Sequence, residues 1–218
     1  MKGEAYTKGI TFGELHSYRD LRLLLSKKEF GAPPVKSKKV EIEGADGSID
    51  YTDFFGEPKY GDAEHKFTFA TIVSRSDFSE QYSQVKNALH GQKLRIVDDD
   101  DPSFYYVGRC YVSNFTDEKG AGKITVECEC EPYKYKLQPT IMSVAVNGTE
   151  VITLTNARKR AVPSITTTAA MTIAFGDGIW TPSAGTFTIP ELELVEGDNH
   201  VTVIGVGNIT FTWTEGSM

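Results

Sequence analysis

Apolar and polar positions alternate in short runs along most of the chain, the period of strands that bury one face. In Lys66-Phe67-Thr68-Phe69-Ala70-Thr71-Ile72-Val73, Phe67 and Phe69 share a side. Over residues 123–136, Ile124, Val126, Cys128 and Cys130 line one side and Thr125, Glu127, Glu129 and Glu131 the other. Shorter runs at 9–13, 21–25, 93–97 and 104–115 predict further strands, and 40–43 a half-buried one. Gly44-Ala45-Asp46-Gly47-Ser48, Asp98-Asp99-Asp100-Asp101-Pro102 and Gly120-Ala121-Gly122 read as turns, and Pro33-Pro34 closes a loop.

One segment departs from the period of two. Phe78, Tyr82, Val85 and Leu89 recur at steps of four, three and four, a single face of a helix. Asp77 and Glu80 fit a capping box before it, and Gly91 supplies a left-handed residue after it. The pattern predicts a helix over 77–90 lying on a sheet.

The texture changes near Leu137-Gln138-Pro139. Residues 1–137 hold 20 basic and 23 acidic side chains; 138–218 hold 3 and 7 and are rich in Thr and Val. Two domains are expected, 1–137 and 138–218. The second offers short strands at 142–146, 151–154, 164–168, 171–175, 186–189, 200–206 and 209–214. Hairpin turns are expected at Asn147-Gly148 and Asp177-Gly178, a spacing that suits a β-sandwich.

Composition narrows the function. The 218 residues are 39 % hydrophobic and 24 % charged, with a net charge of −7. An acidic chain without a basic run is a poor ligand for phosphate backbones, so no sequence-specific nucleic-acid contact is expected. No apolar run reaches the ~18 residues of a membrane span, and the first eight residues lack the apolar stretch of a signal peptide. Three cysteines, 110, 128 and 130, are an odd, sparse set that points to a reducing compartment.

Candidate chemistry is thin. His16, His65, His90 and His200 have no local metal or general-base partners, and Cys128-x-Cys130 lacks the second pair a metal site needs. The acidic run 98–101 is either a solvated hairpin tip or a weak cation site without the helix–loop–helix calcium spacing. Phosphate-binding glycine loops and nucleophile elbows are missing, so no catalytic residue, metal or cofactor is expected. Trp180, in Gly176-Asp177-Gly178-Ile179-Trp180-Thr181-Pro182, either stacks on a sugar face or anchors a partner, or else covers the end of the sandwich. Arg158, Lys159 and Arg160 form the basic cluster of the second part, either a solvated loop or a second candidate contact, for an acidic partner or nucleic acid. Trp213, alternating with Ile209 and Phe211, is expected in the core.

The order of elements carries a resemblance. Gly9-Ile10-Thr11-Phe12-Gly13-Glu14-Leu15-His16-Ser17 resembles the opening strand and turn of the distal tail protein (Dit) family of long-tailed, non-contractile bacteriophages. Val40-Glu41-Ile42-Glu43-Gly44-Ala45-Asp46-Gly47-Ser48-Ile49-Asp50 and Gly56-Glu57-Pro58-Lys59-Tyr60 are similar to the family's next motifs, with Glu43 where proline is usual. Asn156-Ala157 with Val162-Pro163-Ser164-Ile165, and the glycine-rich stretch 192–208, resemble elements of its C-terminal domain, with Ala157 and Arg158 where a glycine is common.

This resemblance implies a mainly β protein. It would have an N-terminal β-barrel flanked by one α-helix, like tail-tube subunits, and a C-terminal galectin-like β-sandwich. It implies a structural role in the virion: a hexameric ring joining the tail tube to the tail-tip hub, its tail-associated lysin and the receptor-binding proteins, assembled in the host cytoplasm. It brings no catalytic residues, and 218 residues leave no room for the carbohydrate-binding insertions of larger members. The alternative is a carbohydrate-binding module using the sandwich, although the His-Asn-Arg and Trp constellation of galectins has no counterpart around His200.

Overall fold

Strict alternation along Ala63–Thr71 puts Ala63, His65, Phe67 and Phe69 on one buried face, and this strand organises the first sheet. In the computed structural model, which describes residues 7–54, 56–118 and 121–218, the chain divides into two units, Met1–Pro132 and Tyr133–Met218. The first eight residues therefore lie largely outside the described residues.

In the first unit, β1 (Ile10–Phe12), β2 (Leu15–His16), β3 (Leu23–Phe30), β4 (Lys39–Glu41), β5 (Ser48–Asp50) and β6 (Ala63–Thr71) precede α1 (Phe78–Leu89). β7 (Lys93–Asp98), β8 (Phe104–Glu118) and β9 (Ala121–Cys130) follow it. Seven of these strands form an antiparallel sheet in the order β2-β1-β7-β8-β9-β6-β3. The sheet curls on itself. Three strands separate β1 from β6 in the hydrogen-bonded order, yet Phe12 meets Phe67 and Phe69 edge-on at 5.8 and 6.2 Å between ring centroids. Bulges at Leu25/Lys27 in β3 and Val112/Asn114 in β8 add local twist. Ile10, Ile96, Cys110, Ile124, Val126 and Cys130 fill the enclosed face.

The helix lies over β8. Val85 and Leu89 are buried in the sheet's core, and Tyr82 stacks on Phe115 at 5.1 Å. Gly91 takes the left-handed conformation expected of it (φ 79°). The expected capping box does not form. A 3-10 turn at Arg75–Asp77 precedes the helix and holds Asp77 at φ −100°, ψ −2°. In that conformation its carboxylate accepts from the Ser76 hydroxyl (2.8 Å), while Glu80 accepts from Gln84. The turn satisfies early amides itself: the Asp77 N–H donates to Ser74 O and the Phe78 N–H to Arg75 O.

Two strand expectations change. Residues 40–43 are not half-buried: among the described residues β4 and β5 pair only with each other, and both are exposed along their length. The strand starting at 123 starts earlier and ends at Cys130, so Ala121 and Gly122 belong to β9 and not to a turn; Gly120 lies outside the described residues.

The second unit comprises β10 (Lys134–Lys136), β11 (Thr140–Asn156), β12 (Ser164–Thr167), β13 (Thr172–Phe175), β14 (Gly178–Trp180), β15 (Gly185–Thr188), β16 (Gly197–Trp213) and β17 (Gly216–Ser217). The pairing of β10 with β17 ties residues 134–136 to it. Asn147-Gly148 is not a hairpin turn. β11 runs straight through it, paired with β16 at every position from Thr140↔Trp213 to Asn156↔Gly197. The glycines act as bends: Gly148 faces Gly205, and Gly148, Gly205 and Gly207 all have positive φ. A Cβ on Gly205 or Gly207 would come within 2.9 Å of Met171. Beyond the bend β16 changes neighbours, pairing β13 through 202–204 and β12 through 209–212. Val201, Val203, Ile209, Phe211 and Trp213 thus reach one core with Leu154, Ile165 and Ile173. The β13–β14 hairpin forms as expected, but Phe175↔Gly178 pairing makes Gly176-Asp177 its two-residue turn.

Candidate functional site

The acidic run 98–101 closes onto the chain's own cations. Lys28, on β3, is ion-paired with both Asp98 and Asp100, and Lys8 with Asp100. Asp99 accepts from the Gly9 N–H (2.8 Å) and from His16 Nε2 (2.9 Å). The Nδ1 of His16 accepts the Tyr18 and Arg19 amides, which fixes the proton on Nε2 facing Asp99. Both nitrogens are therefore occupied. The buried Ser17 hydroxyl accepts from the Ile10 N–H, so Ser17, His16 and Asp99 together hold the opening strand against the acidic run. Among the described residues no group of three or more His, Cys, Asp or Glu could hold a metal ion.

Lys28, and then Lys8, holds the Asp100 carboxyl down at about 2 through charge-assisted hydrogen bonds. A depressed carboxyl favours the folded state above its unfolded value near 3.8, and that contribution is lost as pH falls toward 2. Lys28→Met is expected to move the Asp100 titration upward, read by carbon-detected NMR. An unchanged titration would leave Lys28 without its assigned role.

His65 faces the enclosed side of β6. Its ring meets Phe30 at 5.1 Å and Tyr106 at 4.5 Å, both edge-on, and neither nitrogen has a hydrogen-bond partner among the described residues. Burial pushes its pKa below the ordinary 6.5, outweighing an opposing influence of the Glu64 backbone. The unfolded chain then binds the proton more readily than the folded one, so stability falls as pH drops below 6.5. His65→Phe is expected to flatten this dependence in urea titrations at pH 7 and pH 5. An equal slope in the variant would assign the dependence to other groups.

The outer face of β9 is less acidic than its sequence. Glu127 pairs with Lys66 at 2.7 Å, Glu131 with Lys93 at 2.9 Å, and Glu129 accepts from the Tyr111 hydroxyl at 3.3 Å. A shallow depression of about 490 Å³ opens here, lined by Glu29, Glu64, Lys66 and Tyr111 as well as Glu127 and Glu129.

Among the described residues of the first unit, the most exposed apolar surface is the arm carrying β4 and β5. Val40, Ile49 and Phe54 are 42, 43 and 70 % exposed. Lys38, Val40, Tyr51 and Phe54 line one groove, and Lys36 and Lys39 are exposed beside it. A two-stranded hairpin alone is marginally stable in water, and apolar surface of this kind marks contact sites. Sequence reading missed this surface because alternation alone does not say whether a neighbour is present. Phe54, an aromatic within the turn-rich polar stretch after β5, was the available signal.

In the second unit, Trp180 is half-buried against the core, its indole lying over Gly178, where a Cβ would come within 2.1 Å of the ring. Arg160 pairs with Glu193 at 2.9 Å and Arg158 approaches Glu196 at 3.9 Å. The Lys159 ammonium sits 5.1 Å from the centre of the Tyr135 ring. The basic cluster is thus spread over three local partners, and Trp180 belongs to a separate hairpin.

No protein-family model and no curated protein matches the sequence. Among solved structures, the chain as a whole has the fold of a phage distal tail protein, in keeping with the motifs at 9–17, 40–50 and 192–208. One structure it is similar to is SPP1 Dit (gp 19.1), described as a paradigm of the hub adsorption apparatus in phages infecting Gram-positive bacteria. Identity is 15 %, with a TM-score of 0.72 over 98 % of this chain and 100 % of SPP1 Dit. At that identity the likeness is one of fold.

Proposed function

We propose that this chain is a structural component of a phage tail tip, assembling with copies of itself into a hexameric ring between the tail tube and the adsorption machinery. The observation that carries this reading is the end-to-end likeness to SPP1 Dit, which spans both units. The first unit, as a barrel flanked by α1, would build the ring. The second, as a galectin-like sandwich, would project from it and dock the tip hub or receptor-binding proteins through Trp180 or Arg158, Lys159 and Arg160. A closed ring needs two different, complementary faces on each copy. The arm, with its exposed apolar residues and Lys36, Lys38 and Lys39, supplies one; the β9 face around Glu129 is the candidate for the other.

Sedimentation and electron microscopy at high concentration, alone and with the tail-tube protein, test this. Rings of six 24.1 kDa chains are expected. Reversing Lys36, Lys38 and Lys39 to Glu is expected to abolish them without unfolding the chain, because all three are exposed. Monomers under every condition would overturn the ring. Glycan-array binding that disappears in Trp180→Ala would replace the docking role with sugar recognition.

A further inference from the structure

Cys110 on β8 and Cys128 on β9 are direct partners in the sheet register. The Gly91 N–H donates to Cys110 O at 2.7 Å and the Cys110 N–H to Gln92 O at 2.9 Å. Both backbone groups of Cys110 therefore point away from β9, and its pairing with Cys128 is of the non-hydrogen-bonded kind. Such pairs bring Cα atoms to ~4.5 Å and side chains closest together, within the span a disulfide bridges. The two sulfurs stand 3.4 Å apart, buried on the enclosed face, and both are free thiols. The third thiol has no such partner: Cys130 lies opposite Gly108 on β8 and Ala63 on β6.

We propose that Cys110 and Cys128 are a poised cross-strand pair that hydrogen peroxide converts to a disulfide within the folded sheet. The reaction is Cys110–SH + Cys128–SH + H₂O₂ → Cys110–S–S–Cys128 + 2 H₂O. One thiolate attacks a peroxide oxygen, breaking the O–O bond and leaving a sulfenic acid. The second sulfur displaces that oxygen as water. The two sulfurs together give up two electrons to the peroxide. Closure is slow, because both thiols are buried and the hydrogen bond with Cys110, added to burial, pushes the Cys128 thiol above its ordinary value. A chain folded among reducing thiols carries the open pair, and exposure to oxidant closes it. This inference is independent of the tail-tip reading.

The test uses the full chain, purified under reductant and then treated with hydrogen peroxide under native conditions. Catalase quenches the reaction, and the chain is alkylated in denaturant. Expected are the loss of two hydrogens in intact mass, one alkylated cysteine instead of three, and a linked peptide joining 110 to 128. The thermal midpoint should rise and return with dithiothreitol. Cys130→Ser should behave as the wild type; Cys110→Ser and Cys128→Ser should keep their remaining thiols alkylatable. Should either of those two fail to fold, the wild-type peptide map decides. Sulfinic acids at 110 and 128, a bridge involving Cys130, or three thiols persisting after treatment that oxidises the unfolded chain would each overturn the proposal.

Discussion

Replacing Phe67 with alanine is expected to cost the first unit ~3–5 kcal/mol, the range for emptying a fully buried aromatic site. Phe67 is wholly buried on β6 and meets Phe12 at 5.8 Å and Phe30 at 5.7 Å, both edge-on. The first of those contacts joins opposite parts of the curled sheet, so the truncation removes packing between its two ends as well as transfer energy. Urea unfolding followed by circular dichroism reads the loss. Tryptophan fluorescence is the control, because both tryptophans, 180 and 213, lie in the second unit. Phe54→Ala, at a site 70 % exposed, is expected to leave the same transition within ~0.5 kcal/mol. Equal losses for the two variants would contradict the assignment of core and arm.

Leu89→Ala comes next, at ~2–5 kcal/mol, because the side chain is fully buried at the last turn of α1. Val85 and Tyr82 continue the same stripe, and the helix has no side-chain cap to hold it independently. Its attachment to β8 is therefore mostly apolar. A loss below ~1 kcal/mol in the same assay would mean that the stripe is not what docks the helix.

The helix and its packing face were readable because Phe78, Tyr82, Val85 and Leu89 obey one period with nothing competing. The alternating face of Ile124, Val126, Cys128 and Cys130 was readable for the same reason. Asn147-Gly148 misled because a left-handed glycine reverses a lone chain but only bends a strand whose partner has glycines opposite. Gly205 and Gly207, nearly sixty positions away, settle the matter, and no local window contains both. Asp77 misled because the residues before it, 74–76, already form a turn that serves the amides a cap would serve.

Polar side chains at work inside the fold were the least legible. Gln81 sits among exposed helix residues yet donates to Leu21 O and Arg22 O, both at 3.0 Å, and braces Arg22 at its positive φ of 53°. Asn199 donates to Leu154 O, Val195 O and Gly197 O. The Gln81 bonds and the one from Asn199 to Leu154 join residues whose proximity exists only after folding, so composition and period carry no trace of them. The same holds for Lys28, one lysine among many until the curled sheet brings it to Asp98 and Asp100. Of the candidate partner contacts, Trp180 and residues 158–160 were legible as residue types; their distribution over separate local contacts was not.

The short ladder between β10 and β17 pairs Lys134 with Ser217 and Tyr135 with Gly216. The polypeptide therefore comes into the second unit and completes it at the same spot, like a loop of cord gathered at its knot. A unit with adjacent ends can be lengthened, exchanged or circularly permuted without stretching the chain that supports it. Residues 138–215 thus form a cassette that can be reworked while the curled sheet and its helix keep their dimensions.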